Sequence, residues 1–305
     1  MPEKDHNASV TVALVSRNRK ADLRGALQSV LEQEGNPEIV VIDDASTDGT
    51  SEMVRSEFPS VSLHRHEQAL GTTESRNRIT SLASNNIVIH LDDDARFTSR
   101  TTVSQTVAQF DHPRVAIVAV PFDDVVGGRR SVRNGRAPDD ELWVLATYTG
   151  AAYAARTDIF RRVGGYDREY WMYGEERDLS LRLLSQGFVT RMGRAEPVLH
   201  YVSPVRSMWR SDVLGRRNEI VWSWSSFPAP WHLIYIAGYV VKGIWVGIRV
   251  RRPRRMIRGL IEGFRAIPAV RRNPVSRQTF ALDRRLRRKG ALRLAEIESS
   301  LTPPR

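Results

Sequence analysis

Three groups of adjacent carboxylates in this chain, Asp43-Asp44, Asp92-Asp93-Asp94 and Glu175-Glu176, are placed where acids can do chemistry. Neighbouring acids repel one another, and a divalent cation relieves that repulsion. Carboxylate oxygens are hard ligands suited to Mg2+ or Mn2+, the ions that accompany phosphorylated substrates. A carboxylate facing a hydroxyl can instead accept its proton. Each group also has a plain structural reading. An Asp run can be a solvated turn, and acids in a first helical turn complement the helix dipole for roughly 0.3–1 kcal/mol.

The elements that must position these acids can be read from pattern. Ile87 to Leu91 is an apolar run after Asn85-Asn86, the signature of a strand buried on both faces, and it delivers Asp92, Asp93 and Asp94 at its carboxyl end. Glu38 to Ile42 does the same for Asp43 and Asp44, and the β-branched run Ser9 to Val15 leads into Ser16-Arg17-Asn18-Arg19. Helical spacing of Leu23, Leu27, Val30 and Leu31, a short helix through Met53 and Val54, a strand at Val61 to Leu63, and a helix from Gly71 through Ile79 and Leu82 fill the intervals. Strands alternating with helices predict a parallel sheet with right-handed crossovers, and in such sheets ligands bind beyond the carboxyl ends of the strands. A helix over 101–110 and a strand over 115–120 follow, and the polar, Gly/Arg-rich stretch 123–140 reads as a surface loop. Trp143 to Thr149 reads as a strand and Arg156 to Val163 as a short helix. Leu179, Leu183, Leu184 and Phe188, with Gly187 as cap, place Glu175 and Glu176 in a first helical turn. Val198 to His200 reads as the last strand, and Pro204 and Val205 close the domain.

The 305 residues, 41% hydrophobic and 8% aromatic, suffice for one large α/β domain and an appendage. With no cysteine there is neither a disulfide framework nor a thiolate metal site. The opening Met1 to His6 is polar and predicts no signal peptide. The net charge of +11 hides two parts of opposite sign. Residues 206–305 hold 22 Lys and Arg against 6 Asp and Glu, a net of +16, while the remainder holds 24 against 29, a net of −5. So basic a tail expects an anionic surface, lipid or nucleic acid. It also holds Trp222, Trp224, Phe227, Trp231 and Tyr235, then a largely apolar stretch from Trp231 to Ile248, then an arginine cluster. The end, from Arg284 to Arg305, reads as charged and either helical in part or disordered.

In order and spacing, Ser16-Arg17-Asn18-Arg19, Val41 to Thr50 (VIDDASTDGT), Gly71 with Arg76-Asn77, Leu91-Asp92-Asp93-Asp94, Gly164-Gly165-Tyr166-Asp167 and Tyr173 to Leu179 (YGEERDL) resemble the bacterial family 2 glycosyltransferases of the GT-A fold. The resemblance covers about Ser9 to Val205. It implies a mixed, mainly parallel nucleotide-binding sheet flanked by helices over 1–205; the basic, aromatic-rich composition of 206–305 reads as a helical, membrane-associating extension. It implies that Ser16, Arg17, Asp44, Arg76, Asp92 and Asp93 serve the nucleotide-sugar, UDP- or dTDP-linked, with Asp44 on the base and Asp92 toward the ribose. Asp92 and Asp94 become the outer acids of a D-x-D motif, and the metal ligands are Asp94, Asp92 and His200, holding Mg2+ or Mn2+. Glu176 falls where the family has a general base, with Glu175 beside it and Asp178 next in line. The chain departs from the family pattern at two places: Glu-Glu replaces the usual Glu-Asp, and Arg17 replaces a Tyr that often follows the first strand.

The reading is an inverting, metal-dependent sugar transfer to a glycan or lipid-linked acceptor of the cell envelope, by an enzyme that is cytoplasmic and peripheral on the inner face of the membrane. A nucleotidyltransferase would normally show a Gly-rich, Lys-bearing loop after the first strand, and Ser16 to Arg19 contains no glycine. Nucleic-acid binding through the basic tail is the other alternative. For Trp231 to Ile248, Lys242 disfavours a membrane-spanning path, since a central Lys costs roughly 2.5–3.5 kcal/mol to insert. The expectation is an interfacial or re-entrant segment, or a hairpin packed on the catalytic domain.

Overall fold

The computed structural model describes residues 10–202 and 208–304; Ser9, where the first strand was expected to start, and Pro204 and Val205 at the expected domain boundary lie outside the described residues. The first half runs β1 (Val10–Ser16), α1 (Lys20–Leu31), β2 (Glu38–Asp43), α2 (Thr50–Glu57), β3 (Ser62–Arg65), α3 (Thr72–Leu82) and β4 (Ile87–Asp92). The four strands lie in the order β3-β2-β1-β4, all parallel. Helix α1 buries Leu23, Leu27 and Val30, while Leu31 faces outward. Alternate residues of β1 serve opposite faces of the sheet: Val12 and Leu14 join one apolar cluster and Ala13 the other, as a period of two requires. Register then does the functional work. Ser16 stands opposite Asp43 and Val15 opposite Asp92, so the carboxyl ends of β1, β2 and β4 deliver their polar residues to one edge.

The chain continues through β5 (Ala95–Arg96), α4 (Thr102–Val107), β6 (Val115–Ala119), β7 (Phe122–Val126), β8 (Arg129–Asn134), β9 (Trp143–Leu145), β10 (Ala152–Arg156), α5 (Thr157–Arg162), α6 (Glu175–Ser185), β11 (Val189–Met192) and β12 (Val198–Tyr201). The large sheet has nine strands, β13-β9-β11-β6-β10-β4-β1-β2-β3, the last strand of the chain, β13 (Ala291–Arg293), forming one edge. β10 is antiparallel to both β4 and β6, and β9 is antiparallel to β11 and β13, which leaves seven of nine strands pointing one way. This is the expected mixed, mainly parallel sheet with helices on its faces.

Three local expectations need correction. The stretch 123–140 is not simply a loop, because β7 and β8 pair as a hairpin through Gly127-Gly128, both at positive φ (56° and 78°). Two such residues give the tight turn whose twist suits a hairpin. β10 and β11 were not foreseen, the first because its Ala-rich sequence lacks β-branched residues and the second because it has only four residues. β12 is not the final strand, since β13 follows it. β7, β8, β5 and β12 form a second sheet, in which β12 runs parallel to β7 and antiparallel to β5.

The C-terminal part comprises α7 (Met208–Ser226), α8 (Trp231–Arg249), α9 (Pro253–Ala266), α10 (Arg277–Lys289), β13 and α11 (Leu294–Ile297). Trp222 and Phe227 are buried together with Phe280, Leu181 of α6 and Tyr170, with Trp222 and Phe227 ring centres 4.5 Å apart. Leu286, Leu292 and Ile297 enter the core beneath the large sheet. The last residues of the chain thus complete the sheet instead of trailing from it.

Candidate active site

Beyond the carboxyl ends of β1 and β4 lies a cleft of about 560 Å³. All ten residues singled out from the sequence line it: Ser16, Arg17, Asp44, Arg76, Asp92, Asp93, Asp94, Glu175, Glu176 and His200.

The acid run divides its labour by direction. Asp93 is buried and turns toward β1, accepting a hydrogen bond from Ser16 Oγ at 2.7 Å. Arg19 reaches over both neighbours, with Nη1 2.9 Å from Asp93 Oδ1 and 2.8 Å from Asp94 Oδ2. Burial pushes the Asp93 carboxyl up to about 7, against the pull of Arg19 and with a further push from Asp94. Burial acts on Asp94 in the same sense, but the hydrogen bond and charge of His200, then Arg19, hold it below the usual carboxylate range.

His200 arrives by register. β5 begins directly after Asp94, and in its antiparallel pairing with β12 Ala95 stands opposite His200. The amide of Tyr201 donates to the Asp94 carbonyl at 2.7 Å and fixes that alignment. His200 Nε2 lies 3.2 Å from Asp94 Oδ1, while Nδ1 lies 2.7 Å from Asp124 Oδ1, its partner on β7. Asp124 is itself held by Arg133 Nε at 2.6 Å. Burial opposes protonation of His200, yet its bonds to Asp94 and Asp124 carry it up to about 9.

One ligand atom each from Asp92, Asp94 and His200 lie within 4.8 Å of one another. Two carboxylates and an imidazole form a donor set that suits Mn2+ or Mg2+. Asp124 behind the imidazole supplies the carboxylate that typically orients a ligating histidine. The residues therefore fit a divalent cation.

On the other side, Arg76 is almost wholly buried and ties three elements together. Its Nη2 donates to Asp92 Oδ1 at 2.7 Å and to the Gly150 carbonyl at 2.8 Å, and Nη1 lies 4.0 Å from Glu175 Oε1. The amide of Gly150 donates to Glu176 Oε1 at 3.2 Å. A Cβ on residue 150 would come within 2.6 Å of Arg76 Nη1 and 2.8 Å of Glu176 Oε1, so any larger residue would displace one or both side-chain ends. The turn into α6 passes through Tyr173 (φ 68°) and Gly174 (φ 102°), and Asn218 of α7 holds it by donating to the carbonyls of Met172 and Tyr173 at 2.8 and 2.6 Å. Glu175 is buried with Oε2 lacking a hydrogen-bond partner, and burial, then the neighbouring Glu176 charge, push its carboxyl up to about 8. Glu176 is partly exposed to the cleft. Asp178 is buried against Arg182, 2.7 Å away, and does not line the cleft.

Asp44 lines the cleft with its carboxylate already engaged: it accepts from the amides of Leu70 (2.8 Å) and Gly71 (3.0 Å), and His66 Nδ1 lies at 2.9 Å. It thereby shapes the loop leading to α3. Arg17 is exposed at the rim.

Several cleft residues carry roles that the sequence reading did not assign. Arg19 lay inside a quoted motif, and its bridging of two acids was not foreseen. Asp124 and Arg133 lay in the stretch read as a loop, where the Gly127-Gly128 turn was the available signal. Trp171, with Arg210 stacked 5.1 Å from its ring centre, walls the side nearest α7.

Comparison with known proteins follows the geometry. The sequence model described as "Glycosyl transferase family 2" matches residues 11–193. An uncharacterized protein of Mycobacterium tuberculosis (strain CDC 1551 / Oshkosh) is 30% identical over 116 residues, 37% of this chain and 35% of the relative, so the match spans about a third of that protein's length. Among solved structures, the mannosyltransferase PcManGT of Pyrobaculum calidifontis, in complex with GDP-Man and Mn2+, aligns over 84% of this chain and 87% of its own with a TM-score of 0.58 and 16% identity. S. aureus TarS aligns over 92% of this chain and 53% of its own with a TM-score of 0.60 and 17% identity. GalNAc-T7 with UDP, GalNAc and Mn2+ aligns over 71% of this chain and 50% of its own, with a TM-score of 0.59 and 17% identity. These likenesses show the fold.

Proposed function

The chain belongs to glycosyl transferase family 2, and from that premise we propose that it moves a sugar, with inversion, from a UDP- or dTDP-linked donor to a glycan or lipid-linked acceptor of the cell envelope. The observation that carries this reading is one cleft lined both by Asp92, Asp94 and His200, whose ligand atoms lie within 4.8 Å of one another, and by Glu175 and Glu176. Those are the two kinds of group a single displacement requires. The leaving diphosphate needs its charge neutralised at one end of the reacting line, and the entering hydroxyl needs a proton acceptor at the other.

When bound, Mn2+ or Mg2+ would supply that neutralisation on Asp92, Asp94 and His200. Everything else falls to the chain's own groups. Ser16, Arg17, Asp44 and Asp93 line the donor side; Asp44 retains one of about four lone-pair sites for the base. Asp92, held by Arg76, faces the ribose. Glu176 takes the acceptor's proton as the oxygen attacks the anomeric carbon from the face opposite the diphosphate; the bond to the diphosphate oxygen breaks as the new one forms. Burial and the Glu176 charge push the Glu175 carboxyl up to about 8, and Glu176, which faces the cleft, takes the base role. The working place is the inner membrane face, reached through the basic tail.

The test is a thermal-shift screen of nucleotide-sugars with and without Mn2+. A donor that stabilises the protein only with the ion supports the reading, and no ion-dependent stabilisation by any nucleotide-sugar would overturn it.

A further inference from the structure

The apolar surface of the C-terminal helices is not confined to α8. Val241, Trp245 and Ile248 of α8 are 68%, 58% and 66% exposed, and Ile257, Ile261 and Phe264 of α9 are 44%, 45% and 46% exposed. Both sets repeat at i, i+4 and i+7, the spacing of one helical face. The opposite faces are committed. Gly243 and Gly247 of α8 seat against Leu260 and Met256 of α9, and Gly259 and Gly263 of α9 seat against Val213 and Ile220 of α7. Two helices packed on the body of the protein thus each leave an apolar stripe in the open.

We propose that these two stripes form one membrane-seating surface that lies in the plane of an anionic lipid leaflet, with α8 and α9 both immersed to headgroup depth and neither crossing the bilayer. This rests on the reading of the chain as a transferase working at a membrane surface. α8 is long and apolar enough to cross a membrane by length and composition alone, but its polar groups point elsewhere. Lys242 lies 3.4 Å from Glu219 and Arg216 lies 2.7 Å from the same carboxylate, which α7 buries. Crossing would strip α8 from α7 and bare Glu219. Lying flat keeps that ion pair and leaves the outward face of α8 from Leu233 to Ile248 without a charge other than Lys242, which is turned toward α7.

Charge identifies the partner. Arg249, Arg251, Arg254 and Arg265 are exposed and pair with no carboxylate among the described residues, and they flank the stripes at the C-terminal end of α8 and at both ends of α9. Apolar residues bordered by unpaired arginines are the composition of an interfacial helix on acidic lipid. The surface also adjoins the cleft. Arg210, which lines it, follows the exposed Met208 and Trp209, and Arg258 of α9 stacks 5.1 Å from the Trp209 ring centre. Seating α9 on lipid therefore sets the Trp171 side of the cleft next to the leaflet.

The test uses the full chain and vesicles of phosphatidylcholine with or without about one third phosphatidylglycerol, read by co-sedimentation at low and high salt. Wild type should bind the anionic vesicles, and Trp245→Glu with Ile261→Glu should lower binding at least about tenfold with an unchanged melting temperature. Arg249→Gln with Arg254→Gln should lower it several-fold and remove most of its salt dependence. Trp245→Glu alone should lose less than the pair, because α9 still seats. Absence of wild-type binding, equal binding by the Glu variants, or a stable dimer in sedimentation that those variants dissolve would each overturn the proposal, as would retention of cell-expressed chain in membranes after alkaline extraction. Mn2+-dependent stabilisation by UDP, measured without vesicles, should persist in every variant. Its loss would count against the transferase reading and not against the lipid surface.

Discussion

His200 and Asp124 are direct partners across the parallel pairing of β12 and β7, and their Nδ1 and Oδ1 atoms stand 2.7 Å apart. The pairing turns the other ring nitrogen toward Asp94 and away from solvent. Asp124→Asn should therefore weaken Mn2+ binding by roughly 10- to 100-fold, the usual cost of losing such an orienting partner. Calorimetric titration with Mn2+ alone measures it, and an unchanged affinity would show that the imidazole needs no such support.

Asp94→Asn should abolish the stabilisation that Mn2+ confers in the presence of a nucleoside diphosphate while leaving the fold intact. The check is a pair of melting curves with and without the ion. Equal activity of this variant in a chelator would remove the metal from the mechanism.

Glu176→Gln should keep nucleotide-sugar affinity and melting temperature but lose at least about a hundredfold in turnover, since removing a general base typically costs 10²–10⁴-fold. Glu175→Gln should lose less. Inactivity of the Glu175 variant with retained activity of the Glu176 variant would reverse the roles, and activity in both would direct attention to Asp178.

Glu175 also carries a pH signature. Its folded carboxyl is up to about 8 through burial and the Glu176 charge, above the model-peptide value of 4.5. The folded chain therefore holds a proton that the unfolded chain releases. The resulting stability is full below the unfolded value and is lost as pH rises through about 8. Melting temperatures of wild type and Glu175→Gln, followed from pH 5 to 9, should show the variant gaining on wild type as pH rises. Parallel curves would show that Glu175 is ionised throughout.

Gly150→Ala should reduce turnover by at least about tenfold, because the added Cβ meets Arg76 Nη1 at 2.6 Å and Glu176 Oε1 at 2.8 Å, and displacements of about 1 Å can cost 10²-fold. Steady-state kinetics beside a melting curve separates misplacement from unfolding.

The half of the cleft built on β1, β2 and β4 was legible because its signal is local. Ile87 to Asp92 and Glu38 to Asp43 announce buried strands, and parallel pairing then leaves one edge for Ser16, Asp44 and the Asp92 run. Glu175 and Glu176 were legible because Gly174 and the leucines of α6 mark a helix start. Asp124 was not, since its role depends on which strand lies beside His200, and that pairing joins residues 76 positions apart. β13 was hidden for the same reason, three residues recruited to the sheet only by contact with β9. For Lys242 composition gave only the cost of carrying a charge across a bilayer; its partner Glu219, 3.4 Å away on α7, lies 23 positions back and shows only in the structure.

Asn218 joins two parts of the molecule that face different surroundings. Its amide grips the carbonyls of Met172 and Tyr173, and its helix packs on the pair that bears the outward apolar stripes. Sliding α7 by one residue, about 1.5 Å, would strain both bonds and pull on the left-handed turn that launches Glu175 and Glu176. The station of α7 therefore helps set where Glu175 and Glu176 point. The helix is a ruler as well as a prop: Asn218, with Arg217 on Glu169 and Trp222 packed beside Leu181, sets the distance between the stripe-bearing helices and the acids of the cleft.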